Sequence, residues 1–156
     1  MRRLALVGLA LTLVGLGLAL GFWPLFSVSG ADLLASRNAS PQYIGYALDS
    51  GITVHERVLR VEYIGPFLGG SITTLELEDG NPQQTMVIYV RGDATNIVKD
   101  GDLIYAWAVL RNYGGFLYWE VPTPSDVHQS WPIDAVFYGI MAVGVAILAY
   151  AALRKP

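Results

Sequence analysis

The chain has 156 residues, enough for one domain, with 53% hydrophobic and 15% charged residues and a formal net charge of −3. It has no cysteine, which excludes a disulfide framework and any Cys-based metal site. The charge deficit lies at the two ends, as membrane-spanning runs produce.

Residues 4–26 carry no charge and one polar side chain, Thr12. About 20 apolar residues cross a bilayer core of about 30 Å, so this run is long enough to span. A cleaved signal peptide is the competing reading, and the length favours an uncleaved anchor. Trp23, before Pro24, is placed to sit at the outer interface. Gly8 and Gly15 repeat at a heptad, and Gly17 and Gly21 form a GxxxG pair. Small residues on one face let helices approach closely in lipid.

Residues 27–53 are poorly patterned. Asp32 to Ser36 suits one helical turn. Ser40-Pro41 reads as a helix start, with Ser as N-cap and Pro at the first position, and a brief helix through Leu48 is expected. Tyr43, Ile44, Tyr46, Ala47 and Leu48 would then lie along the bilayer surface or cover one end of the next region. Asn38-Ala39-Ser40 matches the N-glycosylation acceptor pattern.

From residue 54 the hydrophobic period becomes two. Leu59, Val61 and Tyr63 alternate with Arg60 and Glu62; Thr73, Leu75 and Leu77 alternate with Thr74, Glu76 and Glu78. Met86, Ile88 and Val90 follow, then Leu103–Leu110 and Phe116–Val121. Turn signals at Gly65-Pro66, Gly69-Gly70, Asp79-Gly80-Asn81-Pro82 and Asn112-Tyr113-Gly114-Gly115 separate them. Five strands in about 70 residues predict a small closed barrel, which removes sheet edges. Residues 92–102 are long enough for a helical turn with Ile97 and Val98 facing inward. A five-stranded barrel with one helical insert between strands three and four resembles the OB-fold. That fold hosts many functions and by itself assigns none.

After the fifth strand, Trp131-Pro132 opens a second apolar run, Ile133 to Leu153, whose one charge is Asp134 in the first turn. Trp131 is expected at the interface. Ala135 and Gly139, then Ala142 and Ala146, repeat at four-residue spacing. Arg2, Arg3, Arg154 and Lys155 flank the two runs, while the segment between them has six Lys/Arg against twelve Asp/Glu. Short basic flanks stay cytoplasmic. The expectation is an α+β membrane protein. Its two transmembrane helices flank an OB-like barrel, both termini are cytoplasmic and residues 28–131 are extracytoplasmic. Its parts are an anchor over 1–27, a linker over 28–53, the barrel over 54–122, a linker over 123–131 and a helix with its tail over 132–156.

Function is less legible. OB-folds bind single-stranded nucleic acid with a basic groove and stacking aromatics. Tyr89, Tyr105, Trp107, Phe116, Tyr118 and Trp119 supply rings, but residues 50–122 have five Lys/Arg against nine Asp/Glu, which argues against phosphate binding. A membrane-anchored, extracytoplasmic OB-fold followed by His128 resembles the haem-chaperone family of cytochrome c maturation. That resemblance implies haem attachment at His128. In that family the His is followed four residues later by Tyr and the chain has one anchor; here Trp131 follows three residues later and a second span begins. His55 and Glu56 do not complete a three- or four-ligand metal site. No catalytic motif is present. The leading expectation is a non-enzymatic accessory or interaction subunit of a membrane protein complex, without cofactor. Its expected partner-binding residues are Tyr89, Tyr105, Trp107 and Tyr118. Its helix-packing faces are Gly8, Gly15, Gly17, Gly21, Ala135, Gly139, Ala142 and Ala146, which would pack the two spans on each other, on a partner's helices or on a second copy.

Overall fold

A computed structural model describes residues 2–67, 69–81 and 83–153, with the side chains of residues 2, 19–26, 133 and 134 outside the described set. The expectations for Gly21, Trp23 and Asp134 therefore lie outside the described residues. The chain forms two compact units, one of residues 1–26 with 131–156 and one of residues 27–130.

The first unit is a pair of helices, α1 (Arg2–Phe26) and α3 (Ser130–Leu153, whose first residue belongs to the other unit). Glycine decides how they pack. A Cβ on Gly15 would lie 2.6 Å from the Met141 nitrogen, and one on Gly8 would lie 3.0 Å from the Gly144 carbonyl oxygen. Thr12 meets Gly144 between them, its hydroxyl turned back to donate to the Gly8 carbonyl at 2.8 Å. The heptad pair is therefore the contact face. Gly17 and Gly139 face open space, and Ala135, Ala142 and Ala146 are exposed, so these five do not join the two helices. Gly144 and Ala151 are buried instead, and neither stood out in the sequence. By length and composition α3 is apolar enough to cross a membrane, with a mean hydropathy of 2.2. It is the one such helix among the described residues, against the two expected, because the described apolar stretch of α1 is the shorter Arg3–Leu18.

The second unit contains a six-stranded sheet. Its strands are β1 (Gly51–Phe67), β2 (Gly70–Leu77), β3 (Met86–Arg91), β4 (Leu103–Tyr113), β5 (Phe116–Val121) and β6 (Val127–Gln129). The order is β1-β2-β3-β5-β4-β6, and β1 also pairs with β4. The result is not a regular barrel. β3 and β5 are joined parallel at two residue pairs only, Tyr89 with Glu120 and Val90 with Val121, and β6 adds a sixth strand outside β4. The segment expected as a linker over 123–131 is thus a 3₁₀ turn at Pro124–Asp126 followed by β6.

Alternation fills the interior as the period-two pattern predicts. Leu75, Leu77, Met86, Ile88, Val90, Ile104, Ala106 and Leu110 are all buried, and Trp119 is the largest fully buried side chain. Each such Leu or Ile contributes about 1.5–3 kcal/mol relative to exposure. The first strand departs from the pattern. A register shift between Val58 and Arg60 puts Val58 inside and leaves Leu59 and Tyr63 about half exposed.

The helix expected from Ser40 is a turn, and residues 92–102 contain the single turn expected. Residues 41–45 carry positive φ at Tyr43 and Gly45, which no right-handed helix permits. Tyr43 is nevertheless buried, and Tyr43 and Tyr46 meet the Trp119 ring edge-on. Between β3 and β4, Ala94 accepts from Ile97 and Val98 in a single turn; Ala94 and Val98 are buried while Ile97 is exposed. The Thr73 hydroxyl fixes this turn, donating to the Gly92 carbonyl and accepting from the Ala94 N–H.

The helix around Asp32 is longer than expected. α2 (Gly30–Arg37) starts with a reciprocal capping box between Ser29 and Asp32. Just before it, Val28 bridges Val54 in parallel, exchanging bonds with the Thr53 carbonyl and the His55 N–H. One row thus runs Val28, Val54, Ala106, Val127 across four chain segments.

Candidate functional site

Outward positions of a strand lie two apart, so Tyr89 and Arg91 on β3 share one face with Phe116, Tyr118 and Glu120 on β5. The short β3–β5 join brings these two sets together. Tyr89 is the hub. Phe67, at the β1–β2 tip, stacks near it at a centroid distance of 6.1 Å and 26°. Tyr118 meets it edge-on at 5.5 Å and Phe116 at 6.4 Å, while Phe116 and Tyr118 stack at 12°. Phe67 and Phe116 are about half exposed, whereas Tyr118 is 4% exposed. Two hairpin tips thereby present rings on either side of one tyrosine. Burial pushes the Tyr89 and Tyr118 phenols up, and for Tyr118 the Glu120 charge adds to it, so both stay neutral donors at neutral pH.

Beside the rings lies a clamped carboxylate. Glu120 is 5% exposed although it sits on the outer face. Its Oε2 accepts from the Arg91 guanidinium, through Nε at 3.2 Å and through Nη2, and from the Tyr118 hydroxyl at 3.2 Å. Its Oε1 lies 3.6 Å from Arg111 Nε, and Arg111 Nη1 reaches Asp49. Two cations and two anions alternate as Arg91, Glu120, Arg111, Asp49. The bond to Glu120 is the main reason that the Arg91 guanidinium is held above its ordinary range. Paired charge-assisted bonds of this kind are the stronger sort, and they fix side-chain direction.

The other outward rings form a separate group. Across β1, β4 and β6, His55, Tyr105 and His128 occupy one cross-strand row. The His55 ring lies on Tyr105 at 4.6 Å and its Nε2 is 3.4 Å from the Ser130 hydroxyl. Burial lowers the His55 pKa to about 4, so the ring is neutral. Tyr105 is 4% exposed and Ser130 fully buried. Trp107 lies against Gly51, where any Cβ would overlap its indole, and still exposes half its surface. His128 is exposed on β6.

The four expected partner-binding residues are thus divided. Tyr89 and Tyr118 meet in the aromatic lane, and Tyr105 and Trp107 belong to the histidine row and its neighbour. Phe67, Arg91, Arg111, Glu120 and Asp49 were not singled out beforehand. No group of three or more His, Asp or Glu side chains suited to a metal ion occurs among the described residues. Trp131, expected at an interface, has a 69% exposed ring.

No family model matches the sequence, and neither curated proteins nor solved structures match it.

Proposed function

We propose that the protein is a non-enzymatic accessory subunit of a membrane protein complex. In this reading α1 and α3 both cross the bilayer with the termini in the cytoplasm, and an OB-like module stands outside. The strand pairing supports that fold reading: β1, β2, β3, β5 and β4 pair in a circuit that returns to β1, and the long connection lies between β3 and β4. The observation that carries the functional reading is the aromatic lane beside the clamped Glu120. Its rings are presented outward, and its one buried carboxylate is already occupied by Arg91, Arg111 and Tyr118. Such a surface recognises rather than transforms. The bare small-residue face of α3, at Ala135, Gly139, Ala142 and Ala146, is the surface for a partner helix.

Two measurements test this. The chain has no cysteine, so single cysteines can report topology. Asn96→Cys should react with an impermeant maleimide on intact cells, while Lys155→Cys should react only after lysis; the reverse pattern overturns the orientation. The full-length chain, purified in mild detergent, should carry a stoichiometric membrane protein that Gly139→Leu strips away while the module stays folded. A clean monomer, or a partner indifferent to that change, overturns the accessory role.

A further inference from the structure

We infer that residues 41–50 form a strap that opens over the Trp119 end of the module, and that Arg111 fastens it to the aromatic lane, so that a partner engaging the lane releases it. The coupling rests on the recognition reading above and adds a means of regulating it.

Four observations lead there. First, the strap is thinly attached. Tyr43 is buried and Tyr46 half-buried, while the other residues from Pro41 to Asp49 are exposed. Among the described residues, its backbone bonds to the rest of the module lie at its two ends. The Tyr43 N–H donates to the Ser36 carbonyl at 2.7 Å, and Asp49 and Ser50 pair with Leu110. The bonds from Tyr46 to Tyr43 and from Ser50 to Ala47 stay inside it. Segments with so few buried contacts sit at the low end of local stability. Second, it is strained. Tyr43 and Asp49 hold φ at 55° and 61°. Asp tolerates the left-handed region, but a bulky Tyr keeps it only while its ring is held. Third, opening satisfies a buried donor. Tyr43 and Tyr46 meet Trp119 edge-on, and Trp119 Nε1 has no hydrogen-bond partner among the described residues. Water reaching that N–H offsets part of the lost ring contact. Fourth, the fastener is shared. Arg111 Nη1 donates to Asp49, and its Nε lies 3.6 Å from Glu120 Oε1, while Glu120 also holds Arg91 and Tyr118. A partner carboxylate or carbonyl that draws the guanidinium onto the lane takes it from Asp49. By linkage, a loosened strap alters the lane in turn.

The test is hydrogen exchange, followed by NMR on the full-length chain in phosphatidylcholine nanodiscs. The Trp119 indole resonance is the one absent from Trp119→Phe. The Tyr43 N–H and the Trp119 indole N–H should be at least about tenfold less protected than the Ile88 and Val90 amides on the β2–β3 ladder, and sub-denaturing urea should not change their rates. Asp49→Asn keeps a residue that accepts the left-handed backbone and removes the charge. It should lower both protections about threefold, the worth of an ion pair this exposed, and leave Ile88 and Val90 unchanged. It should also shift the Tyr118 ring resonances, acting through Arg111 and Glu120. Tyr43 and Trp119 protected as well as Ile88 with the same urea dependence, a variant effect that is absent or spreads to Ile88, or an unmoved Tyr118 ring overturns the inference. Uniform exchange in a chain that brings down its membrane partner sinks this inference alone. A loose strap on a clean monomer sinks the accessory reading alone.

Discussion

Two outward aromatic groups decorate the same sheet and are built on opposite plans. Around Tyr105 and Trp107 the rings rest on other parts of the protein: His55 covers Tyr105, and Trp107, though half exposed, lies on Gly51. Around Tyr89 the supporting polar groups are tied to one another, and the outer rings, Phe67 and Phe116, are left uncovered. The first arrangement uses aromatics as local structure. The second spends its charges on holding aromatics in place. An exposed ring is thus informative only together with what fixes it, since scattered surface hydrophobes are ordinary.

The largest disruption of both groups should come from the shared interior. Trp119 lies between Tyr118 and Glu120 in sequence and points inward against Tyr43 and Tyr46. Trp119→Ala should cost about 3–5 kcal/mol in chemical denaturation of the full chain. The indole Nε1 has no hydrogen-bond partner among the described residues, so Trp119→Phe should cost less than that truncation.

Gly51→Val attacks only the closed group, because its side chain would occupy the space of the Trp107 indole. About 1–3 kcal/mol of destabilisation is expected, with near-ultraviolet circular dichroism reporting the displaced ring. Glu120→Gln attacks only the open group. It leaves two guanidiniums facing each other across an amide, and a loss of about 1–2 kcal/mol in thermal unfolding is expected, together with greater mobility of Tyr118 by NMR.

A pH profile separates the groups more finely. The folded pKa of His55 lies near 4, below its ordinary 6.5, so the unfolded chain binds this proton first. Stability attributable to His55 is complete above pH 6.5 and falls as pH drops toward 4. Part of the ring is solvated, so the effect is of order 1 kcal/mol after screening. His55→Gln should flatten that portion of the stability profile, and an unchanged slope would show that the ring titrates normally. The smallest effect should be Phe116→Ala, within about 0.5 kcal/mol of the parent in stability, which is what makes it a clean probe of the lane.

Much of the interior could be read from the chain because strand alternation is local: Leu75, Leu77, Ile88 and Val90 announce themselves by position. The failures have local causes too. One extra residue at the Val58–Arg60 shift reverses which side chains face in, and nothing in the letters marks it. β6 has three residues, too few to show a period. Tyr43 reads as a helix residue until its left-handed backbone is seen. The lane was half visible. Tyr89 and Tyr118 stood out as aromatics, but Arg91 and Glu120 are 29 residues apart in sequence, and Arg111 and Asp49 are 62 apart. One signal was available: Arg91 and Glu120 each follow an outward tyrosine by two positions, which places them on its face. Which two strands would adjoin was the missing information. The α1–α3 contact was likewise half visible. The Gly8 and Gly15 heptad pointed to it, whereas Gly17 faces open space.

The row from Val28 through Val54 and Ala106 to Val127 has a mechanical consequence. Val28 runs parallel to β1, and β6, antiparallel to β4, runs the same way. Opposed pulls on Ser27 and Ser130 therefore load the cross-strand hydrogen bonds in shear, several at once, rather than unzipping them singly. Strain arriving through either end is borne by the hydrogen-bond ladder before it reaches the rings around Tyr89.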